Sequence, residues 1–209
     1  MIAWYDNIPI VSWLILRGRC RRCGIKVSVQ YPLVELGTAL IWAYMAATLP
    51  VWPAFRGAVF FTILLGIAMT DARQYIIPDE FSLGGLVIGL LFSLSDGATG
   101  IGQAVIGAVV GFSVLWAIGA AGTRVFKEDA MGGGDIKMMA MVGAFLGWTG
   151  VLLTIFLGAL LGSLIFVPLS LVGKKKLVPF GIFLAIGAGA TYLVGPTLLA
   201  WYGGFLGGA

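Results

Sequence analysis

The chain has 209 residues, of which 60% are hydrophobic and 11% are charged. A soluble domain of this length leaves much of its surface in water and carries about a quarter charged residues, so the composition excludes a water-soluble globule. The net charge of +4 comes from lysines and arginines in short clusters between apolar runs, which is typical of topology signals. We therefore expect membrane lipid around most of the chain and no nucleic-acid partner.

Apolar runs of about 20 residues predict the membrane spans. In chain order the runs cover residues 33–50, 53–70, 81–95, 101–122, 138–149, 150–172 and 180–202. Pro50 and Pro53 predict a tight turn between the first two runs, and residues 147–150 predict another between the fifth and the sixth. The expected fold is an all-α polytopic membrane bundle of about seven transmembrane helices. Residues 1–31 are expected to form a short cytoplasmic segment and residues 32–209 the membrane-embedded domain.

Glycines four residues apart recur inside these runs. The pairs are Gly85 and Gly89, Gly107 and Gly111, Gly143 and Gly147, and Gly158 and Gly162. On a helix this spacing makes a flat stripe on which a second backbone can lie closely, and such stripes favour helix packing in lipid. The pairs therefore predict helix–helix contacts.

Basic residues fall on one predicted side of the membrane. Twelve of the 13 lie in the N-terminal segment or in the connections after the second, fourth and sixth runs, and Arg56 is the exception. They are Arg17, Arg19, Arg21, Arg22, Lys26, Arg73, Arg124, Lys127, Lys137, Lys174, Lys175 and Lys176. The positive-inside rule then predicts a cytoplasmic N-terminus and an external C-terminus.

Two acidic residues stand at the ends of apolar runs on the predicted cytoplasmic side. Asp71 ends the second run, and Asp135 follows a glycine triplet, residues 132–134, and precedes the fifth run. An ionisable residue at a membrane boundary that faces the bundle is a candidate functional residue. For Asp135 the alternative is a helix N-cap, a role that aspartate favours, although it leaves the glycine triplet unexplained.

A pair of carboxyl groups suits peptide hydrolysis, because two close carboxyls share one proton and can act as base and acid together. The glycine triplet would allow positive φ and the close approach of an extended peptide. The sequence has no histidine, which excludes a histidine-containing catalytic zinc site. From the residues alone, a transporter with an Asp-based proton relay and a non-enzymatic membrane scaffold stay open as alternatives.

Several segments, in order along almost the whole chain, carry a family resemblance. They are Asp6–Pro9 (DNIP), Arg17–Cys23 (RGRCRRC), Tyr31–Leu36 (YPLVEL), Asp71–Asp79 (DARQYIIPD), Met131–Lys137 (MGGGDIK) and Pro179–Ala185 (PFGIFLA). Together they resemble the bacterial type IV prepilin peptidases, which are aspartic proteases of the GxGD class.

The resemblance implies an intramembrane aspartyl endopeptidase of the bacterial inner membrane, with Asp71 and Asp135 as its catalytic pair. The residues that it implies shape the substrate loop are Gly132, Gly133, Gly134, Pro78, Asp79 and Lys137. Asp79 is expected to cap the third span or to orient the loop before it. The implied substrates are type IV prepilins or type II secretion pseudopilin precursors, whose basic leader is cleaved after glycine at the cytoplasmic membrane face. No cofactor is implied for proteolysis.

Cys20 and Cys23 are the only cysteines and form a single Cys-x-x-Cys pair. Many members of the family carry two such pairs, which look like a zinc site, and also methylate the new N-terminus with S-adenosylmethionine. One pair supplies two of the four ligands that structural zinc requires. Zinc and S-adenosylmethionine are therefore expected only if the methyltransferase activity is retained. Three roles stay open for the cysteine pair itself: free thiols, half of an intermolecular zinc site, or a remnant of a lost site.

Overall fold

The computed structural model describes residues 3–171 and 179–207, with the backbone alone for residues 97–99, 169–171 and 205–207. Within these ranges the α-helices are α1 (Val11–Ile15), α2 (Gln30–Thr48), α3 (Val51–Gln74), α4 (Asp79–Ser93), α5 (Gly97–Phe126), α6 (Gly133–Leu171) and α7 (Phe180–Gly207). Single 3₁₀ turns lie at Trp4–Asn7 and Leu94–Asp96. The described ranges contain no β-strand beyond an isolated bridge between Arg19 and Lys26, so the all-α prediction is confirmed.

Four helices are long and apolar enough to cross a membrane. The spanning parts are Val51–Gln74, Gly100–Phe126, Gly133–Pro168 and Phe180–Gly204. The protein is therefore a helical membrane protein. The runs at 33–50 and 81–95 form α2 and α4, of 19 and 15 residues, which are not among the four. The number of seven spans and the cytoplasmic N-terminus stay predictions.

The fifth and sixth predicted runs lie in one interrupted helix, α6. An unbroken helix of its 39 residues would be about 58 Å long, which is roughly twice the hydrocarbon core of a bilayer. Gly147 breaks the helix with φ 69° and ψ −179°, a conformation open essentially only to glycine. The break falls inside the turn predicted at residues 147–150. Residue 172, at the end of the sixth run, lies outside the described residues.

The chain divides into two compact units, Met1–Leu65 and Gly66–Ala209. In the first unit, α2 packs against the first part of α3. The indole N–H of Trp42 donates a hydrogen bond of 3.0 Å to the Thr62 hydroxyl, and a β-carbon on Gly37 would lie 3.7 Å from the Leu65 side chain. This helix pair follows the short N-terminal elements of the same unit.

In the second unit, close backbone contacts join α6 to its neighbours. A β-carbon on Gly107 of α5 would run into the Gly143 carbonyl oxygen of α6, and a β-carbon on Gly143 would run into Gly107. Farther along α6, a β-carbon on Gly187 of α7 would lie 2.9 Å from the backbone nitrogen of Gly158. The predicted role in helix packing is confirmed for Gly107, Gly143 and Gly158, because only glycine allows the backbones to approach so closely.

The first part of α6 lies between α4 and α5. A β-carbon on Gly89 of α4 would lie 2.8 Å from the Phe145 ring, and α5 contacts α6 on another side through Gly107. Met138, Met139 and neighbouring side chains of this part of α6 are fully buried. Packing on several sides holds the start of α6 firmly, and this start carries Asp135.

Candidate active site

The end of α3 and the starts of α4, α6 and α7 lie near one another in the second unit, around Ile77. Ile77 lies in the connection between α3 and α4 and is buried. A β-carbon on Gly134, at the start of α6, would lie 2.9 Å from Ile77 Cβ. A β-carbon on Gly181, at the start of α7, would lie 2.9 Å from Ile77 Cδ1. The Ile77 side chain therefore fills the space between the starts of α6 and α7.

Asp71 lies in the last turn of α3 and is 5% exposed. Its Oδ2 accepts a hydrogen bond of 3.0 Å from the backbone N–H of Ile182, 111 residues later in the chain. A β-carbon on Gly181 would lie 2.8 Å from the same oxygen. After Asp71, α3 ends at Gln74, and the next residue, Tyr75, has a left-handed φ of 55° and an N–H that donates to the Asp71 carbonyl oxygen at 3.0 Å. This left-handed turn is a common helix stop, and it directs the chain toward α4.

Asp135 lies in the first turn of α6. A backbone hydrogen bond from Gly132 reaches its carboxyl group, which is the geometry of a side chain that caps the start of its own helix. The other oxygen, Oδ1, is buried and has no hydrogen-bond partner in the described part of the chain. A buried carboxyl oxygen without a partner costs about 1–3 kcal/mol. Asp135 therefore caps α6 with one oxygen and keeps the other available to a water or a substrate.

Asp71 and Asp135 lie near the same residue, Ile77, because Gly181 adjoins both Asp71 and Ile77 and Gly134, next to Asp135, also adjoins Ile77. Two carboxyl groups in one site tend to hold a single proton between them, because both cannot easily be charged at once. The structure thus brings together the two acids that the sequence singled out, at the ends of α3 and α6.

The glycine triplet has a different conformation from the predicted one. Among the described glycines, positive φ occurs at Gly18, Gly24 and Gly147. The expectation of positive φ in residues 132–134 is wrong, because α6 already begins at Gly133 and a right-handed helix has negative φ.

The three glycines differ in their surroundings. A β-carbon on Gly132 would lie 3.0 Å from Asp135 Oδ2, whereas a β-carbon on Gly134 would press on Ile77. At Gly133 it would meet nothing within 4 Å. The neighbours of Gly132 and Gly134, rather than their φ angles, restrict these two positions.

Asp79 and Lys137 form an ion pair between the start of α4 and the first part of α6. The Lys137 Nζ donates to both carboxylate oxygens of Asp79, at 2.7 and 3.0 Å, and both side chains are exposed. The N-cap residue of α4 is Pro78, and no side chain caps this helix. The expectation that Asp79 caps the third span is therefore wrong. The ion pair instead links α6 to the start of α4, directly after the α3–α4 connection that contains Ile77.

Ile77, Gly181 and Ile182 were not selected as site residues from the sequence. Gly181 and Ile182 belong to the PFGIFLA segment, which was recognised as a motif without a role. A glycine in the first turn of a long apolar run was the available signal, since a glycine inside a helical pattern often has a packing or functional reason. Nothing local to Ile77 distinguishes it from other apolar residues.

Cys20 and Cys23 belong to the first unit, and both are free thiols. Backbone N–H groups of Cys23 and Arg22 donate to the Cys20 sulfur, and they hold the pKa of the Cys20 thiol below its ordinary value. Among the described residues, no group of three His, Cys, Asp or Glu side chains could hold a metal ion. Two sulfurs do not complete a structural zinc site. A single copy of the chain therefore does not fit zinc, and we derive no step through it.

A cavity of about 720 Å³ also lies in the first unit. Its lining includes Tyr5, Asp6, Trp13, Cys20, Tyr31 and Glu35. Asp6 is already paired with Arg21 at 2.8 Å, whereas one oxygen of Glu35 accepts the Ile10 N–H at 2.7 Å. The volume falls in the range of small-molecule sites.

The fold and the site define a helical membrane protein with two carboxyl groups at adjoining helix ends. A model of the type IV leader peptidase family matches residues 58–167, which include both acids. A model of the bacterial peptidase A24 N-terminal domain matches residues 1–49. The chain belongs to the type IV leader peptidase family, and it is a peptidase.

Curated relatives agree with this assignment. The chain is similar to the prepilin leader peptidase/N-methyltransferase of Aeromonas hydrophila, at 39% identity over 205 residues, covering 96% of the chain and 71% of the relative. The protein of the same name from Pectobacterium carotovorum subsp. carotovorum is 42% identical over 192 residues, covering 89% and 68%. The one from Neisseria gonorrhoeae is 36% identical over 185 residues, covering 88% and 64%. No solved structure matches the chain.

Proposed function

We propose that the protein is an intramembrane aspartyl endopeptidase that removes the leader from type IV prepilins or type II secretion pseudopilin precursors. The observation that carries the proposal is the meeting of Asp71 and Asp135, buried or half-buried, at adjoining helix ends. The substrate class follows from the relatives, which are named prepilin leader peptidases. Membership of a peptidase family gives no support to the alternative of a proton-relay transporter.

In the proposed reaction, the ionised carboxylate of the pair takes a proton from a water molecule. The water oxygen then attacks the scissile carbonyl carbon, while the protonated carboxyl donates a hydrogen bond to the carbonyl oxygen. The carbon–nitrogen bond of the tetrahedral intermediate breaks as a proton passes to the leaving amine. The partnerless Oδ1 of Asp135 supports this scheme, because it can contact water or the substrate without breaking a bond within the protein.

The residues around the pair are proposed to shape the substrate site. Gly132 and Gly134 keep side chains away from Asp135 and Ile77, and Gly133 leaves open space beside the first turn of α6. Pro78 starts α4, and the Asp79–Lys137 ion pair holds that start near α6. An extended peptide near Asp135 would therefore meet backbone and small residues.

The proposed site lies at the cytoplasmic face of the bacterial inner membrane. The distribution of basic residues supports a cytoplasmic N-terminus and seven spans, although Lys174, Lys175 and Lys176 lie outside the described residues. We retain the division into a cytoplasmic segment, residues 1–31, and a membrane-embedded domain, residues 32–209. A cytoplasmic site suits a substrate with a basic leader, which stays on that side, and we propose that cleavage follows a glycine.

The test is leader removal from a purified pilin precursor in detergent or in vesicles. Asp71→Asn and Asp135→Asn should each lower the cleavage rate by at least about 10⁴-fold. The two carboxyl groups act together, so the loss of either one removes most of the catalysis. Asp129→Asn removes an exposed carboxylate a few residues before Asp135 and serves as the control. Cleavage at the wild-type rate by either folded Asp71 or Asp135 variant would contradict the proposal.

N-methylation of the new N-terminus is a second candidate function. The relatives are also named N-methyltransferases, and the cavity of the first unit combines aromatic rings with the Glu35 carboxylate. Aromatic faces and a carboxylate fit a cationic sulfonium such as S-adenosylmethionine, which supplies a methyl group when bound. Tyr31 and Glu35 are the residues that we propose would hold it.

Binding of labelled S-adenosylmethionine to the purified protein tests this second candidate by equilibrium dialysis. Glu35→Gln keeps an oxygen that can accept the Ile10 N–H and removes only the charge, so it should weaken binding while the fold is kept. Glu80→Gln, on α4, is the matched control. The absence of saturable binding by the wild-type protein would remove methylation from the proposed function.

A further inference from the structure

The residue before α7 cannot cap the helix with its side chain. The first N–H groups of any helix have no acceptor within the helix, and a polar side chain just before it usually supplies one. Here Pro179 precedes α7, and proline has no side-chain oxygen. The acceptor is Asp71 Oδ2, which receives the Ile182 N–H at 3.0 Å. The carboxyl group at the end of α3 thus caps α7.

Gly181 makes this contact possible. A β-carbon at this position would lie 2.8 Å from Asp71 Oδ2, 3.1 Å from Asp71 Cγ and 2.9 Å from Ile77 Cδ1. Two of these distances are to the carboxyl group itself, which is 5% exposed and has little room to retreat. A side chain at position 181 must therefore push the carboxyl away from the Ile182 N–H, or push the start of α7 away from α3.

We propose that the first turn of α7 positions Asp71 for catalysis, and that Gly181 is the positioning residue. The Ile182 N–H, together with that of Gly181, fixes the rotation of the carboxyl group, and the missing side chain of Gly181 admits the carboxyl to hydrogen-bonding distance. This inference rests on the proposed role of Asp71 in peptide hydrolysis. It assigns a role to the PFGIFLA segment, which otherwise has none in the reaction.

The central experiment compares Gly181→Ala with Gly203→Ala in cleavage of a purified pilin precursor. Gly203 lies on the same helix, and a β-carbon there would meet nothing within 4 Å. Gly181→Ala should lower kcat roughly 100-fold, which is the scale expected when a catalytic group is misplaced by about 1 Å. KM should stay within about twofold, because the substrate surface is unchanged. Gly203→Ala should leave both constants at the wild-type values.

Ile77→Val distinguishes a displaced Asp71 carboxyl group from crowding of position 181 against Ile77. It removes Ile77 Cδ1, so in the double variant Gly181→Ala/Ile77→Val only the conflict with Asp71 remains. The double variant should keep the low kcat of Gly181→Ala. Recovery to the rate of Ile77→Val alone would show that the defect came from packing against Ile77, and it would overturn the proposal.

Two further results separate this inference from the proposed function. A wild-type kcat in Gly181→Ala, with Asp71→Asn inactive, would overturn the positioning role and leave the catalytic pair in place. If Gly181→Ala does not fold, Ile182→Pro replaces it, since proline removes the donor N–H and is tolerated in the first turn of a helix. A kcat lowered by Ile182→Pro would support the proposal, and an unchanged kcat would overturn it.

Discussion

The hydrogen bonds at the helix ends around Asp71 differ from those in the segment before α2 in sequence separation and in burial. At the helix ends, the hydrogen bond from Ile182 to Asp71 joins residues far apart in sequence and is partly buried. Before α2, the polar contacts span much shorter stretches of the chain and are exposed, as in the bond of 3.0 Å from the Trp13 indole N–H to the Val27 carbonyl oxygen. The first region depends on long, packed helices, and the second depends on exposed contacts within a short segment.

This difference predicts how each region responds to a small change. In a close-packed interior even one added methyl group displaces its neighbours, because no free volume can accommodate it. Exposed ion pairs and turns adjust at little cost, and their single contributions are commonly below about 1 kcal/mol. Substitutions at the helix ends should therefore change catalysis, whereas those in the N-terminal segment should leave peptide cleavage unchanged.

Among the substitutions that test this difference, the largest loss of cleavage rate is expected at Gly134. Gly134→Ala should reduce the initial cleavage rate roughly 100-fold, because the added β-carbon presses on Ile77 and displaces the start of α6 relative to α4. Gly133→Ala has open space around its β-carbon and should retain near-wild-type activity. Its melting temperature should stay the same or rise, because alanine favours a helix over glycine by up to about 1 kcal/mol. Equal, near-wild-type rates in the two variants would show that this helix start tolerates crowding.

A smaller effect is expected from the Asp79–Lys137 ion pair. Asp79→Asn and Lys137→Met should each lower the cleavage rate by less than about tenfold, because an exposed pair contributes at most about 1 kcal/mol. The double variant should behave like either single one if the pair is what matters. Glu80→Gln, which removes the next acid on α4, is the control for loss of charge. Additive losses in the double variant would show that each residue acts separately, for instance on the substrate.

The smallest effect is expected at the cysteines. Cys20→Ser, Cys23→Ser, thiol blockers and zinc chelators should all leave peptide cleavage within about twofold of wild type, because the proposed water activation uses carboxylates alone. Cys20 should still react with iodoacetamide at a lower pH than an ordinary thiol, since its lowered pKa exposes the thiolate earlier. Strong inhibition of cleavage by a chelator, reversed by added zinc, would contradict the contrast between the two regions.

Much of the site could be predicted because its signals are local. Asp71 and Asp135 are recognisable as acids at the ends of apolar runs, and Gly147 lies in the turn that was predicted where α6 is broken. The glycine pairs also predicted close helix contacts, because their spacing places both on one helix face. The conformation of the triplet before Asp135 was predicted wrongly, since a run of glycines does not reveal that a helix already begins within it.

The sequence by itself determined that this is a helical membrane protein of the type IV leader peptidase family with two candidate acids. Only the tertiary structure decided what surrounds those acids: Ile182 as the donor to Asp71, Ile77 as the neighbour of Gly134, and Lys137 as the partner of Asp79. The physical reason is that hydrophobic runs and glycine spacing are properties of a single helix. The partner of a buried carboxyl group depends on which helix ends meet, and here the unsatisfied N–H groups at the start of α7 meet the end of α3.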